Sequence, residues 1–210
     1  MTWIKSDIIL NGALVTLLPL EEKHFKALEI LATDQKIWEF IPVDMRTPEK
    51  RLHAFANALL EREKGSQFAF VIFNKQESKI IGSTRLMNIE ENHRKLEIGW
   101  TWLHPDYWAT AINLECKLLL LTYCFEKLRA IRVQLKTDEN NIRSRKAIQK
   151  IGAQYEGILR HDWIRDNGTI RNSAYFSIIH SEWENAKEKL ATLLQTKLIA
   201  ESLKTHNTNV

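Results

Sequence analysis

Glu97 stands in the run Lys95-Leu-Glu-Ile-Gly-Trp-Thr-Trp-Leu103, which His104-Pro105 ends. Alternation along a strand sends Glu97 and Gly99 to one face and Ile98 and Trp100 to the other. A carboxylate so placed can take a proton from a reacting group, directly or through one water. It can equally be an exposed strand glutamate or half of an ion pair. Ser144 lies in Asn141-Ile-Arg-Ser, at the start of a helical pattern that Asn140 or Asn141 can cap. A first-turn serine also bonds the backbone readily, so its hydroxyl has a structural reading beside any chemical one. Cys116 and Cys124 share one helical segment. Eight residues of helix span about 12 Å, beyond the roughly 7 Å that a disulfide tolerates, so both are expected in the core. The histidines and cysteines show no His-x-x-x-His or Cys-x-x-Cys spacing, and no metal centre is expected.

These residues need elements to hold them. The 210 residues carry 44% hydrophobic and 27% charged side chains, ordinary for one globular domain. No apolar run is long enough to cross a bilayer, and the N-terminus lacks the pattern of a secretory signal, so a cytoplasmic protein is expected. The net charge of +4 mildly favours anionic partners such as a phosphorylated cofactor, RNA or a ribosome surface. Bases and acids are interleaved, with neither a basic stripe nor a stacking platform, so direct nucleic-acid binding is not expected. Strands are predicted at 14–19, 68–73, 80–87, 95–103, 131–136, 154–164 and 171–180. Helices are predicted at 21–32, from Pro48 to Gly65, at 113–128, at 141–151 and from Trp183 onward. Ala147, Ile148 and Ile151 are expected to face inward, with Gly152 in the left-handed position that ends their helix. Hairpins first and a parallel crossover later imply an α/β (α+β) fold, a mixed sheet of about seven strands covered by helices. One domain over 1–203 and an unstructured tail over 204–210 are expected.

Several ordered features carry a family resemblance. Ile81-Gly82-Ser83 opens the third predicted strand. Glu97-Ile98-Gly99-Trp100 runs into Leu103-His104-Pro105-Asp106-Tyr107-Trp108, a loop and a leucine-rich helix. Asn141-Ile-Arg-Ser144, Lys150-Ile-Gly-Ala153, Glu156-Gly-Ile-Leu-Arg160, Tyr175-Phe-Ser-Ile178 and Glu182-Trp183 follow. Singly weak, as a set from Ile80 to Trp183 they resemble the GNAT acetyltransferases, in the RimJ/RimL-like branch that acetylates ribosomal-protein N-termini. The resemblance implies a GNAT-like, mostly antiparallel central sheet. It also implies acetyl-CoA as co-substrate and direct transfer of its acetyl group to a primary amine.

On that resemblance, the Trp108-Ala109-Thr110-Ala111-Ile112-Asn113 loop and the helix start receive the cofactor's pyrophosphate. The backbone at Trp100, Trp102 and Leu103 pairs with pantetheine and polarises the thioester, and Asn141 holds the arm. Glu97 is the base and Ser144 the acid for the leaving thiolate, with Tyr155 a weaker match for that acid. Arg143, Arg145 and Lys146 either meet the 3′-phosphate or form a solvated face. Trp38, Trp100, Trp102 and Trp163 either line an acceptor cleft or belong to core and interface, and His104 reads as structural. The loop departs from the family pattern: it holds no glycine and no basic residue. Either it is right-handed throughout or the cofactor binds more weakly, because a left-handed alanine costs about 1–2 kcal/mol. Lys117, one turn into the helix, either supplies charge or is solvated. A small-amine acetyltransferase acting on a polyamine or antibiotic, and a non-catalytic acyl-CoA-binding protein on the same fold, stand as alternatives. The resemblance also allows a homodimer through the last strands or the Trp183 helix.

Overall fold

The structure, a computed structural model, describes residues 3–207. The strands are β1 (Leu10–Asn11), β2 (Val15–Pro19), β3 (Phe68–Asn74), β4 (Lys79–Glu90), β5 (Lys95–Leu103), β6 (Arg132–Asp138), β7 (Gln154–Ile164) and β8 (Ile170–Ile179). The helices are α1 (Phe25–Leu31), α2 (Pro48–Glu63), α3 (Ala111–Thr122), α4 (Ile142–Lys150) and α5 (Trp183–Asn207). The seven expected strands are present, and the two-residue β1 adds an eighth that is too short to show a period. One sheet holds them in the order β1-β2-β3-β4-β5-β6-β8-β7. Neighbours are antiparallel except β5 and β6, which are parallel.

The fold follows from β3, whose run of apolar residues feeds both faces of the sheet. Phe68, Phe70 and Ile72 join one cluster with Leu120, Phe125, Phe176 and Leu190 on the side of α3 and α5. Ala69 and Val71 join the other with Leu28, Phe55, Trp38 and Trp102 on the side of α1 and α2. Each large buried side chain contributes roughly 1.5–3 kcal/mol. In α4, Ile148 and Ile151 are buried as expected, but Ala147 is exposed, because the nine-residue helix docks a narrower stripe than its pattern suggests. Gly152, at φ +98°, terminates α4 in the left-handed region. α5 continues through Asn207, so residues 204–207 of the expected tail prolong the helix; 208–210 lie outside the described residues.

α3 ties the N-terminal segment to the sheet. The Glu115 carboxylate accepts three backbone hydrogen bonds, from the amides of Ala13, Leu14 and Val15, all at 2.8 Å. A Cβ on Gly12 would lie 2.4 Å from Glu115 Oε2, so glycine is required there by close approach. Beyond Thr122 the helix widens into one π turn over Tyr123–Lys127, closed by the Leu128 amide on the Tyr123 carbonyl. α5 packs antiparallel on α3. Its start is held where Trp183 stacks on Phe125 (centroids 5.1 Å apart) and Lys187 meets Glu126 at 2.7 Å. Glu115→Ala is expected to lower unfolding free energy by about 3–5 kcal/mol, because it strands buried amides. A urea midpoint equal to the wild type would show that the carboxylate does not hold the N-terminal strand.

Candidate active site

β5 and β6 pair over only three residues, Lys95↔Arg132, Leu96↔Val133 and Glu97↔Gln134, although β5 runs on to Leu103 and β6 to Asp138. β6 stays paired with β8 throughout its length. The divergence begins at a local break in β5. Trp100 takes φ +48°, and the register against β4 shifts between Ser83 and Arg85. The expected alternation fails at this bulge. Arg85, whose partner across the ladder is Gly99, holds its guanidinium 4.4 Å from the Trp100 ring centre, so Trp100 shares the face of Gly99 and Glu97. Burial lowers the Arg85 guanidinium to about 10.

Glu97 sits at the apex of this opening and is 2% exposed. Asn88 Nδ2 (3.0 Å) and Gln134 Nε2 (2.8 Å) both donate to its Oε2. Oε1 lies toward Gly99, where a Cβ would stand only 3.0 Å from it and from Met87 Sδ, so a side chain there would crowd the carboxylate. Arg171 and Tyr175 are near enough to feel the Glu97 charge. The Tyr175 hydroxyl donates to Asp162 Oδ1 at 3.1 Å, and burial, reinforced by the Asp162 charge, holds it above the ordinary phenol range. Arg171 in turn lies 3.8 Å from Asp138, which also contacts Arg165. This polar run on one sheet face ends at a cleft of about 240 Å³ lined by Trp38, Glu39, Asp44, Arg165 and Asp166. Sequence reading did not find Asn88, Gln134 or Arg171, because only the strand register brings them to Glu97.

The loop before α3 keeps a glycine-like path without glycine. Ala109 takes φ +58°, so the loop is not right-handed throughout. Neighbours hold it there: Thr110 Oγ1 donates to the Tyr107 carbonyl at 2.7 Å and caps α3, and Trp108 Nε1 donates to the Leu103 carbonyl at 2.9 Å. From across the opening, the Arg143 guanidinium lies 3.8 Å from the Trp108 ring centre, linking the start of α4 to this loop. Asn141 caps α4, the helix that follows β6, by accepting from the Ser144 amide at 2.9 Å. The amide of Ala111, the first residue of α3, donates to Glu201 Oε1 of α5 at 3.0 Å. Ile112 is buried behind it, and Asn113 Oδ1 is buried without a partner. An α-helix start that already holds a carboxylate, an orphan acceptor two residues further and a strand edge without a ladder partner all suit a phosphorylated, amide-bearing ligand.

Lys117 is not solvated: it is 7% exposed and donates to Thr101 Oγ1 at 2.7 Å, which in turn bonds Thr84 Oγ1 at 2.7 Å. Burial lowers its ammonium to about 8. Trp102 is core, tilted against Trp38 with ring centres 5.3 Å apart, and Leu103 is buried in the cluster on the other sheet face. Trp163 and Tyr155 are largely exposed, and Tyr155 packs on Phe176. His104 accepts from the Asp106 amide, a structural role. Among the described residues no group of three or more potential metal ligands occurs.

Two outcomes follow from these strains. Lys117 binds fewer protons when folded than when unfolded between about pH 8 and 10.5, so its burial destabilises the fold below pH 8 and this cost fades as pH rises. Lys117→Met is expected to raise stability at pH 7 by roughly 2–3 kcal/mol. The advantage should shrink between pH 8 and 10 in denaturant titrations; a constant difference would refute the assignment. Ala109→Gly should stabilise the fold by about 1 kcal/mol by removing a left-handed alanine, read as a rise in melting temperature.

Comparison with known proteins agrees with this architecture. The model of the acetyltransferase (GNAT) domain matches residues 15–154. YdaF of Bacillus subtilis (strain 168), provisionally named a ribosomal N-acetyltransferase, is 32% identical over 111 residues, which is 53% of this chain and 60% of its own length. The uncharacterised N-acetyltransferase YnaD of the same strain is 25% identical over 78% of this chain and 92% of its own. A crystal structure of a provisionally named acetyltransferase from T. thermophilus has a TM-score of 0.81 at 30% identity, covering 91% of this chain and 99% of that one. With the match running from β2 through α4, across the strands and helices that bound the opening, the chain belongs to the GNAT acetyltransferase family.

Proposed function

We propose that the protein transfers the acetyl group of acetyl-CoA to the α-amine of a protein N-terminus, with ribosomal proteins as the acceptor class. The observation that carries the reading is Glu97, a buried carboxylate at the apex of the β5–β6 opening, held by Asn88 and Gln134 through one oxygen. The start of α3 takes the pyrophosphate, Asn141 and the free edge of β5 at Trp100–Leu103 take the pantetheine arm, and the acceptor enters by the cleft between Trp38 and Asp166. The neutral amine attacks the thioester carbon, and its proton passes to Glu97, directly or through water. The C–S bond breaks, and Ser144 donates a proton to the departing thiolate and is reprotonated from solvent. Backbone amides of the bulged segment stabilise the oxyanion.

The ribosomal acceptor is supported by the printed name of YdaF and by the net charge of +4, which suits a surface rich in RNA phosphate. A cytoplasmic setting is in keeping with the two buried free cysteines, and no helix among the described residues is long and apolar enough to cross a membrane.

Glu97→Gln should lower kcat by about 10²–10³-fold and leave the affinity for acetyl-CoA within about twofold, measured by steady-state turnover and calorimetry. Full activity in this variant would remove Glu97 from the mechanism. Ribosomal proteins incubated with enzyme and acetyl-CoA should gain acetyl groups at their N-termini by mass spectrometry. Turnover of polyamines with none on ribosomal proteins would favour a small-amine enzyme instead.

A further inference from the structure

The C-terminal helix reaches the phosphate end of the site. From Ala111 to Lys127, α3 and its π turn span about 24 Å, and from Trp183 to Glu201 α5 spans about 27 Å. Because the two run antiparallel, pinned at one end by Trp183 on Phe125 and Lys187 on Glu126, the length of α5 delivers Glu201 to the first turn of α3. There Oε1 accepts the Ala111 amide at 3.0 Å, and Lys197 Nζ, one turn earlier on α5, stands 3.8 Å from the same oxygen. The loop 108–113 contributes neither glycine nor a basic side chain. Arg143 of α4 covers Trp108 of the loop, and α5 brings Glu201 and Lys197 to the Ala111 amide itself.

Resting on the reading that α3 receives the pyrophosphate, we propose that Glu201 is an internal stand-in for the cofactor's pyrophosphate and that Lys197 is a pyrophosphate ligand. One amide accommodates one anion. A carboxylate on Ala111 satisfies the positive end of α3 when no cofactor is present, and an entering pyrophosphate has to displace it. Displacement leaves Lys197 without that partner at the moment a larger anion arrives, and so supplies the cation that the loop lacks. The contact thus stabilises the cofactor-free protein and weakens cofactor binding by the same interaction. Coupling of this kind is reciprocal, so the occupied site releases the end of α5.

The experiment is calorimetric titration of the full chain and its Glu201→Ala and Lys197→Met variants with CoA and with dephospho-CoA, alongside ligand-free melting curves. Glu201→Ala should bind both ligands about 5–10-fold more tightly while melting at lower temperature without ligand, and Lys197→Met should bind both about 5–10-fold more weakly. A residue that merely props α5 would lower the melting temperature and leave affinity unchanged, and that result would overturn the proposal for Glu201. Unchanged affinity in Lys197→Met would overturn it for the lysine. Effects seen with CoA but absent with dephospho-CoA, which keeps the pyrophosphate, would move the pair to the 3′-phosphate and overturn the assignment. Wild type that fails to bind CoA at millimolar concentration would take down the parent reading as well. Wild-type binding with indifferent variants sinks this proposal alone.

Discussion

The sheet is continuous in order but not in hydrogen bonding, and the site depends on that difference. Three parallel pairs join β5 to β6, and both strands then continue without each other. Backbone groups inside a fold are costly to leave without partners, so a divergence of this kind needs causes on each side. On one side β6 is fully committed to β8, which keeps it straight. On the other, the bulge at Trp100 bends β5, with the Arg85 guanidinium stacked on the displaced indole. The opening therefore arises where β6 stays with β8 while the bulge bends β5 away from it.

Several of the buried polar groups gather around this opening. Glu97 needs Asn88 and Gln134 to be tolerable at 2% exposure, and Asn88 itself takes φ +47°. Lys117 keeps its ammonium beneath Thr101 with its proton affinity reduced by burial, and Arg85 does the same beside Trp100. None of these groups strengthens the core as a hydrophobic side chain of equal volume would. Folds retain such groups where chemistry or ligand binding needs them. They come from β4, β5, β6 and α3, the elements that border the divergence.

Much of this was legible in residue order. The aromatic and β-branched run Phe68–Phe73, the alternation in Lys95–Leu103 and the stripe from Leu114 to Leu128 state their element types locally, and Pro48, Asn141 and Gly152 mark ends by their own backbone chemistry. Glu97 could be singled out because a carboxylate in an otherwise apolar strand is conspicuous. What failed to show were relations between distant residues. Gln134 meets Glu97 through strand register, Glu115 meets Ala13–Val15 across a hundred residues, and Glu201 meets Ala111 because two helix lengths match. The face of Trp100 was misjudged for a local reason: a bulge reverses alternation, and its positive φ at a tryptophan leaves no mark in composition. Lys117 was misplaced because its neighbours on α3 set only its height along the helix, while Thr101 and Thr84 decide that it points inward.

The Ala109 loop shows how a family feature persists after the residue that usually makes it easy has gone. An alanine at φ +58° has to be held by its surroundings, because left to itself the chain prefers right-handed backbone. Three anchors do so from different directions. Thr110 ties the loop to Tyr107 and caps α3, Trp108 ties it to the last carbonyl of β5, and Arg143 covers Trp108 from α4. Two of these anchors are also walls of the opening, so the loop and the divergent strands are mutually dependent: closing the gap between β5 and β6 would move Trp108, and relaxing Ala109 would turn the first amides of α3 away from it. In this arrangement the backbone path matters more than the glycine, and Thr110, Trp108 and Arg143 maintain it.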